Sequence, residues 1–554
     1  MNLQVKSSRP FWHHVLIWAF SLLLSATVIQ GYHFQIVSPY DGLYTENYLI
    51  PWSGRDCILF TALAVSVLAV FYFLLNHFRK RESILTYPGD TAGQGWRKEF
   101  FCIFAVLFLA WIPWLLCYSP GFVFPDTDNA LQQALGILPL NNRNPILFTM
   151  FLRLCLFLGG ARRSMDITAG CWICCIIQML YMAACFAYMI CWVCSRGKLP
   201  KSVLFVLTII YAFCPYVAAD SIAMWKDPIF STSIVVWSLL LCDLALSKGR
   251  VQNNRRWCFF FVLLALIISF WRNNGISVVF CAFLLLLVLR ILKPKGVVLR
   301  RPTITTGFVC LLWIVIVIPV YSAFGIGTPK EESAGLMLNQ MARVVVYDGE
   351  MAEEEKEFLD EIMPLEHYKD AYRPCCVDLM KWDDQFNYNA LSGSKFIKIW
   401  AALFMKNPRL YFDAWQLETY GFWTVNRPEI NLNTKNISAG APYNTKKDVL
   451  LLGDYSLRFQ NLLGTDGVRK MLPMDSWSFP LGILNWLIIF IALLLLLNGN
   501  ASLLMSLAPS IGIMTGLLLG TPISYLARYE ASAQFLLPLF LLLLFRKRKC
   551  DRQF

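Results

Sequence analysis

Charged residues and histidine are scarce in this sequence. Only 15% of its 554 residues are charged and five are His, whereas 57% are hydrophobic; a soluble globular domain usually has about 25% charged residues. Three motifs of familiar enzymes are also absent: the GxxxxGK[ST] phosphate loop, the GxSxG nucleophile elbow and the HExxH zinc site. The composition excludes an ordinary soluble enzyme, gives little basis for His-based catalysis and is typical of a polytopic membrane protein.

The excess of basic residues does not indicate nucleic-acid binding. The net charge of +13 comes from 49 Lys and Arg against 36 Asp and Glu, but the bases lie in short clusters between apolar segments, where the positive-inside effect accounts for them. The 18 cysteines lie mostly within apolar runs, where a thiol behaves as a small hydrophobe. A disulfide framework is therefore not expected.

The sequence predicts an all-α polytopic membrane protein. Its fold is expected to be a bundle of about 12 transmembrane helices, with 11 as the lower and 13 as the upper number. Each predicted span has about 20 mainly apolar residues, the length needed to cross roughly 30 Å of hydrocarbon. An apolar run at 145–160 is too short to assign and contains Arg153. The predicted spans lie near 12–30, 57–77, 99–118, 168–193, 201–218, 228–247, 257–274, 276–292, 304–323, 480–498, 501–520 and 525–545.

Basic clusters predict the orientation. The clusters at 79–81 and 546–549, together with Lys6 and Arg9, place both termini in the cytoplasm by the positive-inside rule. Counting spans from the two ends gives the same orientation only if 145–160 does not cross fully, as a re-entrant or interfacial helix would not. The loop at 119–144 then faces outward. A plasma-membrane protein with its polar loops outside the cytoplasm is predicted.

Three regions follow from this topology: a transmembrane module at 1–323, an extracytoplasmic segment at 324–479, and terminal helices with a basic cytoplasmic tail at 480–554. The middle segment combines an acidic stretch from Asp348 to Asp384 with aromatic-rich sequence and predicts a small α-rich subdomain. Its aromatics could stack on sugar rings, but an interfacial belt that anchors juxtamembrane helices accounts for them at least as well. They are Trp400, Trp415, Tyr420 and Trp423.

The first outward loop carries two carboxylates. Asp126 and Asp128 follow Pro-Gly and Pro turn signals and precede an amphipathic helix pattern. Carboxylates at this position suit a base that deprotonates a hydroxyl, and they could also share a divalent cation such as Mg²⁺ or Mn²⁺. The alternative is that one of them only caps the following helix.

Three further polar clusters map to the same membrane face. Each alone could be a structural anchor at a membrane boundary. Together they place cations beside carboxylates at the headgroup level, which fits an anionic lipid-linked substrate: the cations hold the phosphate and a carboxylate activates the acceptor. The clusters are Lys226 with Asp227, Arg272 with Asn273 and Asn274, and Arg528 with Tyr529.

The motifs YSPGFVFPDTDNALQQALG, NNRNPILFT, KDPIF, RNNG and ARYE resemble those of the GT-C superfamily of integral-membrane glycosyltransferases, in particular bacterial polytopic members with YSPG-x4-D in the first outer loop. The resemblance implies transfer of a sugar from a polyprenyl-phosphate donor to an acceptor at the outer leaflet, normally with inversion. It implies that Asp126 is the catalytic base, with Asp128 as a supporting acid or metal ligand.

The resemblance is less specific for the other residues. Lys226, Arg272 and Arg528 are candidates for the donor phosphate, and Asp227, Asn273, Asn274 and Tyr529 for supporting roles. Asn142, Arg143 and Asn144 stand where relatives show a His-His-Pro-like turn, which makes Arg143 a further phosphate candidate. Metal use divides the superfamily and is left open.

The predicted function is thus a membrane glycosyltransferase acting on a cell-envelope glycan, polysaccharide or related acceptor. Two alternatives use the same lipid-linked substrate: a transporter or flippase, and an envelope-polymer polymerase or ligase. A transporter would be expected to bury charges at mid-membrane, whereas most charges here gather at one face. A purely structural scaffold would leave the four polar clusters without a role.

Overall fold

The structure is a computed structural model that describes residues 10–37, 46–79, 81–87, 96–161, 166–293, 296–329, 334–425, 480–521 and 527–548. These ranges are mostly helical, as the sequence predicts. Four short strands form two antiparallel pairs in connecting segments: β1 (Phe34–Val37) with β2 (Glu46–Leu49), and β3 (Arg81–Ser83) with β4 (Arg546–Arg548). The predicted tail beyond Arg548 and the bases Lys6 and Arg9 lie outside the described residues.

Helices of very different lengths make up most of these ranges. In chain order they are α1 (Phe11–Gly31), α2 (Gly54–Arg79), α3 (Arg97–Cys117), α4 (Pro125–Leu135), α5 (Ile146–Leu158), α6 (Thr168–Gly197), α7 (Lys201–Phe213), α8 (Pro215–Ile222), α9 (Asp227–Leu246), α10 (Arg255–Trp271), α11 (Gly275–Leu292), α12 (Arg300–Val315), α13 (Gly335–Val346), α14 (Glu353–Ile362), α15 (Tyr368–Ala371), α16 (Asp378–Lys381), α17 (Ser394–Lys406), α18 (Pro408–Thr419), α19 (Leu481–Leu497), α20 (Ala508–Gly520), α21 (Ala531–Phe535) and α22 (Leu537–Leu544).

Seven of these helices are long and apolar enough to cross a membrane: α1, α2, α3, α6, α9, α11, and α12 with its continuation to Ala323. Two bent pairs raise the number to nine: α7 with α8, bent by 56°, and Ala527–Phe535 with α22, bent by 47°. Three apolar helices, α5, α19 and α20, are shorter. Membrane association therefore agrees with the sequence, whereas the predicted number of about 12 spans is not confirmed.

The first bend and the short α5 have simple causes. Pro215 is the first residue of α8, and Cys214 before it is extended, with ψ at 116°, because a proline disfavours the helical conformation of its predecessor. The 13 residues of α5 extend roughly 20 Å, which is less than the roughly 30 Å of bilayer hydrocarbon. The length of α5 is consistent with a helix that does not cross fully.

Helix α9 lies at the centre of the bundle. In an 18-residue apolar stretch of this helix, 89% of the residues are buried. The helix can be buried on every side because its sequence is apolar on every side. It packs against α6, α10 and the 3-10 segment Ala501–Ser506. Since α9 begins at Asp227, this central helix delivers Lys226 and Asp227 to one end of the bundle.

The described part of the predicted 324–479 subdomain has a hydrophobic core of its own. Helices α13 to α18 enclose a cluster of buried residues distinct from the membrane core, with Met341, Phe358, Leu359, Leu403 and Tyr411 among its members. Residues 426–479 of the predicted subdomain lie outside the described residues. The α-rich character predicted for this segment is thus present in residues 334–425.

Glu418 is fully buried at the end of α18, where its Oε2 accepts a hydrogen bond from Asn339 Nδ2 at 3.0 Å. Burial raises the pKa of Glu418 from 4.5 to about 8. The native protein therefore binds more protons than the unfolded chain between about pH 4.5 and about pH 8, so its stability falls as pH rises through this range. We expect Glu418→Gln to reduce this fall, measured by thermal unfolding near both limits.

Glu357→Gln is the matched control for that prediction, because Glu357 is exposed on α14. Its stability should follow that of the wild-type protein at both pH values. A Glu418→Gln protein that loses stability with pH as steeply as the wild type would contradict the predicted role of burial.

Candidate functional site

Four chain segments meet at the end of the bundle where α9 begins, which we call the site end. They are the first turn of α4, the α8–α9 junction, the α10–α11 junction and the 3-10 segment Ala527–Glu530. These are the four polar clusters that the sequence singles out. The fold brings charged side chains from all four into one region.

The loop before α4 is fixed against the α8–α9 junction. Phe122 N donates to Ile222 O and Met224 N donates to Phe122 O, both at 3.1 Å. Gly121 has φ at +117°, and a Cβ there would lie 2.4 Å from Cys175 Sγ and 2.9 Å from Ile222 O. Only glycine combines this backbone conformation with this close approach. The Gly of the YSPG motif therefore allows α4 to start beside Lys226.

Asp126, Asn144 and Lys226 form a linked group. Lys226 Nζ lies 3.6 Å from Asp126 Oδ2 and donates to Asn144 Oδ1 at 3.1 Å. Asn144 Nδ2 donates in turn to the Asp126 backbone carbonyl at 2.9 Å. The Asp126 side chain is 40% exposed, whereas that of Lys226 is 17% exposed. The Asp126 carboxylate is therefore accessible from solvent, while the Lys226 ammonium group is largely buried and is positioned by Asn144.

The charges around Asp126 lower its pKa below the ordinary value of 3.8. Lys226 has the largest effect, and Arg528 and Arg143 add to it, while partial burial opposes them. Asp126 is therefore ionised near neutral pH. A carboxylate paired in this way is a weak base, so a ligand that draws Lys226 away from it would increase its basicity.

Asp128 occupies a different environment from Asp126. It is 8% exposed, and its Oδ2 accepts a hydrogen bond from Gln132 Nε2 at 3.0 Å. Residues two apart on a helix are turned by roughly 200° from each other, which explains why the two carboxylates have different partners. Helix α4 begins at Pro125, its N-cap residue Phe124 makes no side-chain capping hydrogen bond, and both acids lie in its first turn.

The two carboxylates are held by different partners, Lys226 for Asp126 and Gln132 for Asp128. Among the described residues, no group of three or more His, Cys, Asp or Glu side chains is placed to hold a metal ion. The predicted Mg²⁺ or Mn²⁺ site at Asp126 and Asp128 stays a prediction, and the reaction proposed for this site does not depend on it.

Asp227 pairs with two arginines. Its side chain is 1% exposed, and Oδ1 lies 2.6 Å from Arg272 Nη1 while Oδ2 lies 3.8 Å from Arg528 Nη1. One buried carboxylate thus holds two guanidinium groups that come from distant parts of the chain. A buried charge without its partner is costly, so Asp227 fixes the position of both cations.

Aromatic rings surround these cations. The guanidinium carbon of Arg528 lies 4.1 Å from the Trp225 ring centroid, and that of Arg272 lies 4.8 Å from the Tyr529 ring centroid. Trp225 in turn stacks on Phe124 with ring centroids 3.6 Å apart. Among the described residues, the buried Arg528 Nε has no hydrogen-bond partner. The region therefore retains donor capacity for an anion.

The remaining predicted residues lie at the edge of the site. Asn273 Nδ2 donates to Asn142 O at 2.8 Å, so it ties the α10–α11 junction to the segment after α4. Asn274 precedes the first turn of α11, where its backbone carbonyl accepts a hydrogen bond from Ser277 Oγ at 2.6 Å, and it lines a crevice beside Arg272 and Tyr529. Arg143 is exposed and acts on Asp126 through its charge. Asn273, Asn274 and Arg143 thus border the site.

Two contributions to the site, those of Asn144 and Trp225, were not predicted, and a third comes from Asp220, which stands in the predicted cluster of Lys226 and Asp227. Asn144 links Asp126 to Lys226, and Trp225 stacks on Arg528. Asp220 is buried on α8, and its Oδ2 has no hydrogen-bond partner among the described residues. The only sequence signal was adjacency: Asn144 follows Arg143, Trp225 precedes Lys226, and Asp220 stands in the same polar cluster.

A narrow crevice adjoins the arginines. Its cavity volume is about 20 Å³, roughly the space of one water molecule, and it lies between α11 and α20. Its walls include Phe230, Ile513 and Leu517, and its polar border includes Arg272 and Tyr529. Apolar packing between the two helices therefore extends up to the guanidinium group of Arg272.

The aromatics of the middle segment contact the protein rather than the site cations. Trp415 Nε1 donates to Leu518 O at 2.9 Å, and Trp486 Nε1 of α19 donates to Trp423 O at 2.8 Å. Tyr420 is 1% exposed, and Trp400 Nε1 donates to Gln340 Oε1 at 2.9 Å. These contacts favour the anchoring interpretation over sugar stacking.

A second link joins the segment to the site end. Asn485 Nδ2 on α19 donates to Phe422 O at 2.8 Å and to the Glu530 carboxylate at 2.9 Å and 3.0 Å. Glu530 is buried and lies two residues after Arg528. One amide group therefore connects the end of the subdomain with the segment that carries a site arginine.

Comparison with known proteins gives one match. Neither the curated proteins nor the solved structures include a protein that matches the chain. A family model described as a family of unknown function, DUF6020, matches residues 138–553, which is well over half of the chain. The matched range contains Lys226, Asp227, Arg272 and Arg528 and begins after Asp126 and Asp128. The chain belongs to the DUF6020 family.

Proposed function

We propose that this protein is a membrane glycosyltransferase that moves a sugar from a polyprenyl-phosphate donor to a cell-envelope glycan or related acceptor. The observation that carries the proposal is the convergence of Asp126 with Lys226, Arg272 and Arg528 at the site end. In this proposal the site end lies outside the cytoplasm of a plasma-membrane protein, and both termini lie inside. The resemblance of the motifs to the GT-C superfamily supports the same reaction.

The proposed reaction uses the two groups in different ways. The donor phosphate binds the arginines and draws Lys226 from Asp126, which becomes a stronger base. Asp126 then accepts the proton of an acceptor hydroxyl while the hydroxyl oxygen bonds to the anomeric carbon of the sugar. The bond between that carbon and the phosphate oxygen breaks, and the phosphate leaves as an anion stabilised by the cations. Attack opposite the leaving group inverts the anomeric configuration.

Asp126→Asn tests this proposal directly. We expect transfer to fall by roughly 10²–10⁴-fold, the contribution of a typical general base, because the amide cannot accept the proton. The measurement follows a labelled sugar from a polyprenyl-phosphate donor to envelope material in proteoliposomes with matched protein levels. Donor binding is measured in parallel and should persist.

The control is Glu357→Gln, a charge-neutralising change on the exposed face of α14, which should transfer at the wild-type rate. If Asp126→Asn also transfers at the wild-type rate, Asp126 is not the base and the catalytic model is rejected. If the wild-type protein shows no transfer with any donor of this class, the transferase proposal itself fails.

A transporter of lipid-linked sugars is the second candidate, and one observation favours it. Asp220 belongs to the bent pair of α7 and α8, and Arg528 and Glu530 belong to the bent pair that ends with α22. Discontinuous helices often line the substrate sites of transporters. The same proteoliposomes distinguish the two functions. Movement of intact donor across the bilayer, without loss of its sugar, would establish the transporter.

A further inference from the structure

Helix α17 presents two apolar faces. One packs in the subdomain core through Phe396, Ile399 and Leu403. The other is open: Ile397 is 49% exposed, Phe404 43% and Met405 77%. At 100° per residue, these three side chains and Ala401 fall within one sector of the helix, which we call the open face of α17. A soluble surface rarely leaves such a group of large apolar side chains uncovered.

The charges around α17 are distributed unevenly. Lys395 and Lys406, on the side away from the open face, pair with Glu361 and Glu355 at 3.0 Å and 2.8 Å. Lys398 borders the open face, is exposed and has no ion pair among the described residues. The acidic helix α14 thus lies on the opposite side of α17 from the open face, and the open face itself is bordered by the basic Lys398.

The open face also lies near a membrane boundary. Helix α18 follows α17 directly, and Trp415 on α18 donates to Leu518 O, two residues before the end of the apolar helix α20. From Pro408 to Trp415, α18 rises on the order of 10 Å. Phe412, 58% exposed, stacks on Trp415 with ring centroids 5.5 Å apart. The apolar surface therefore continues from the membrane helices toward α17.

We propose that the open face of α17 lies in the headgroup layer of the membrane that the bundle spans, with Lys398 and the exposed Arg409 contacting anionic lipid headgroups. An apolar sector bordered by basic residues is the pattern of helices that lie in the bilayer interface. The acidic helix α14 then faces water, since anionic headgroups repel it. This proposal depends on membrane association and not on the glycosyltransferase reaction.

Site-specific fluorescence tests the placement in the full-length protein. The parent carries Cys57→Ser and Cys102→Ser, which remove the exposed cysteines among the described residues, and also Cys550→Ser, which removes a cysteine outside them. Met405→Cys and Ile397→Cys are labelled with an environment-sensitive fluorophore, and Glu357→Cys on α14 is the matched control. The proteins are placed in nanodiscs of phosphatidylcholine, with or without phosphatidylglycerol.

We expect blue-shifted emission and quenching by headgroup spin-labelled lipid at positions 405 and 397. Quenching by aqueous iodide should be several-fold weaker there than at position 357. Adding Lys398→Glu and Arg409→Glu should increase iodide quenching at 405 in discs that contain phosphatidylglycerol. Equal iodide quenching at 405 and 357 would overturn the proposal, as would crosslinking of position 405 to a second protein in cells without any lipid contact.

Discussion

Asp227→Ala should strongly lower the stability of the protein. It removes the buried carboxylate that Arg272 and Arg528 share, so both guanidinium groups lose this counter-charge in a low-dielectric region. Removing one partner of a buried ion pair costs about 3–5 kcal/mol. Thermal unfolding in detergent measures this loss, and a polyprenyl-phosphate donor should no longer bind.

A second buried ion pair provides the matched control. Arg196 Nε donates to Asp243 Oδ1 at 2.8 Å, and Arg196 Nη2 donates to Asp243 Oδ2 at 3.1 Å. Asp243 lies at the far end of α9 from Asp227. Asp243→Ala should lower stability by a similar amount while donor binding persists. Donor binding by Asp227→Ala as tight as that of the wild-type protein would show that Asp227 does not organise an anion site.

Gly275→Ala should have a comparably large effect through sterics alone. A Cβ at Gly275 would lie 1.7 Å from the Ile268 carbonyl oxygen and 3.1 Å from Phe230 Cε2, so α10 and α11 would have to move apart. Such overpacking costs roughly 1–3 kcal/mol and occasionally more, and a clash with backbone falls at the upper end. The movement would also displace Arg272 from Asp227. Thermal unfolding and donor binding should both decline.

Gly520→Ala is the control for this steric prediction. A Cβ at Gly520 meets no atom within 4 Å, and its backbone conformation is accessible to alanine. This protein should unfold and bind donor like the wild type. If Gly275→Ala is as stable as Gly520→Ala, the close packing of α10 against α11 is not required for the fold.

The sequence was sufficient to predict the helical membrane class and the four polar segments. Long apolar runs determine α2, α3 and α6 because only a helix satisfies the backbone inside a bilayer. Span counting was less successful, since hydropathy does not show whether a run is straight or broken. Pro215 breaks one predicted span into two bent helices, and the predicted span at 501–520 contains a 3-10 segment before α20.

The residues of the candidate site could be named from the sequence, but the ion pairs that they form with one another could not. Spacing along the chain indicates that Lys226, Arg272 and Arg528 lie at helix ends, but pairing depends on how three distant junctions pack. In the structure, Arg272 and Arg528 form ion pairs with Asp227, and Lys226 forms an ion pair with Asp126. Asn144 was missed as a linking residue because its role needs a long-range contact, and Asp128 was predicted without its burial beside Gln132.

The amide of Asn485 makes the subdomain and the site arginine mechanically interdependent. It holds Phe422 O and the Glu530 carboxylate at once, and the backbone from Glu530 to Arg528 is a single short turn. A displacement of the end of α18 that breaks one of these hydrogen bonds removes support from the turn that carries Arg528. The position of the end of the subdomain and the position of Arg528 are therefore linked through one side-chain amide.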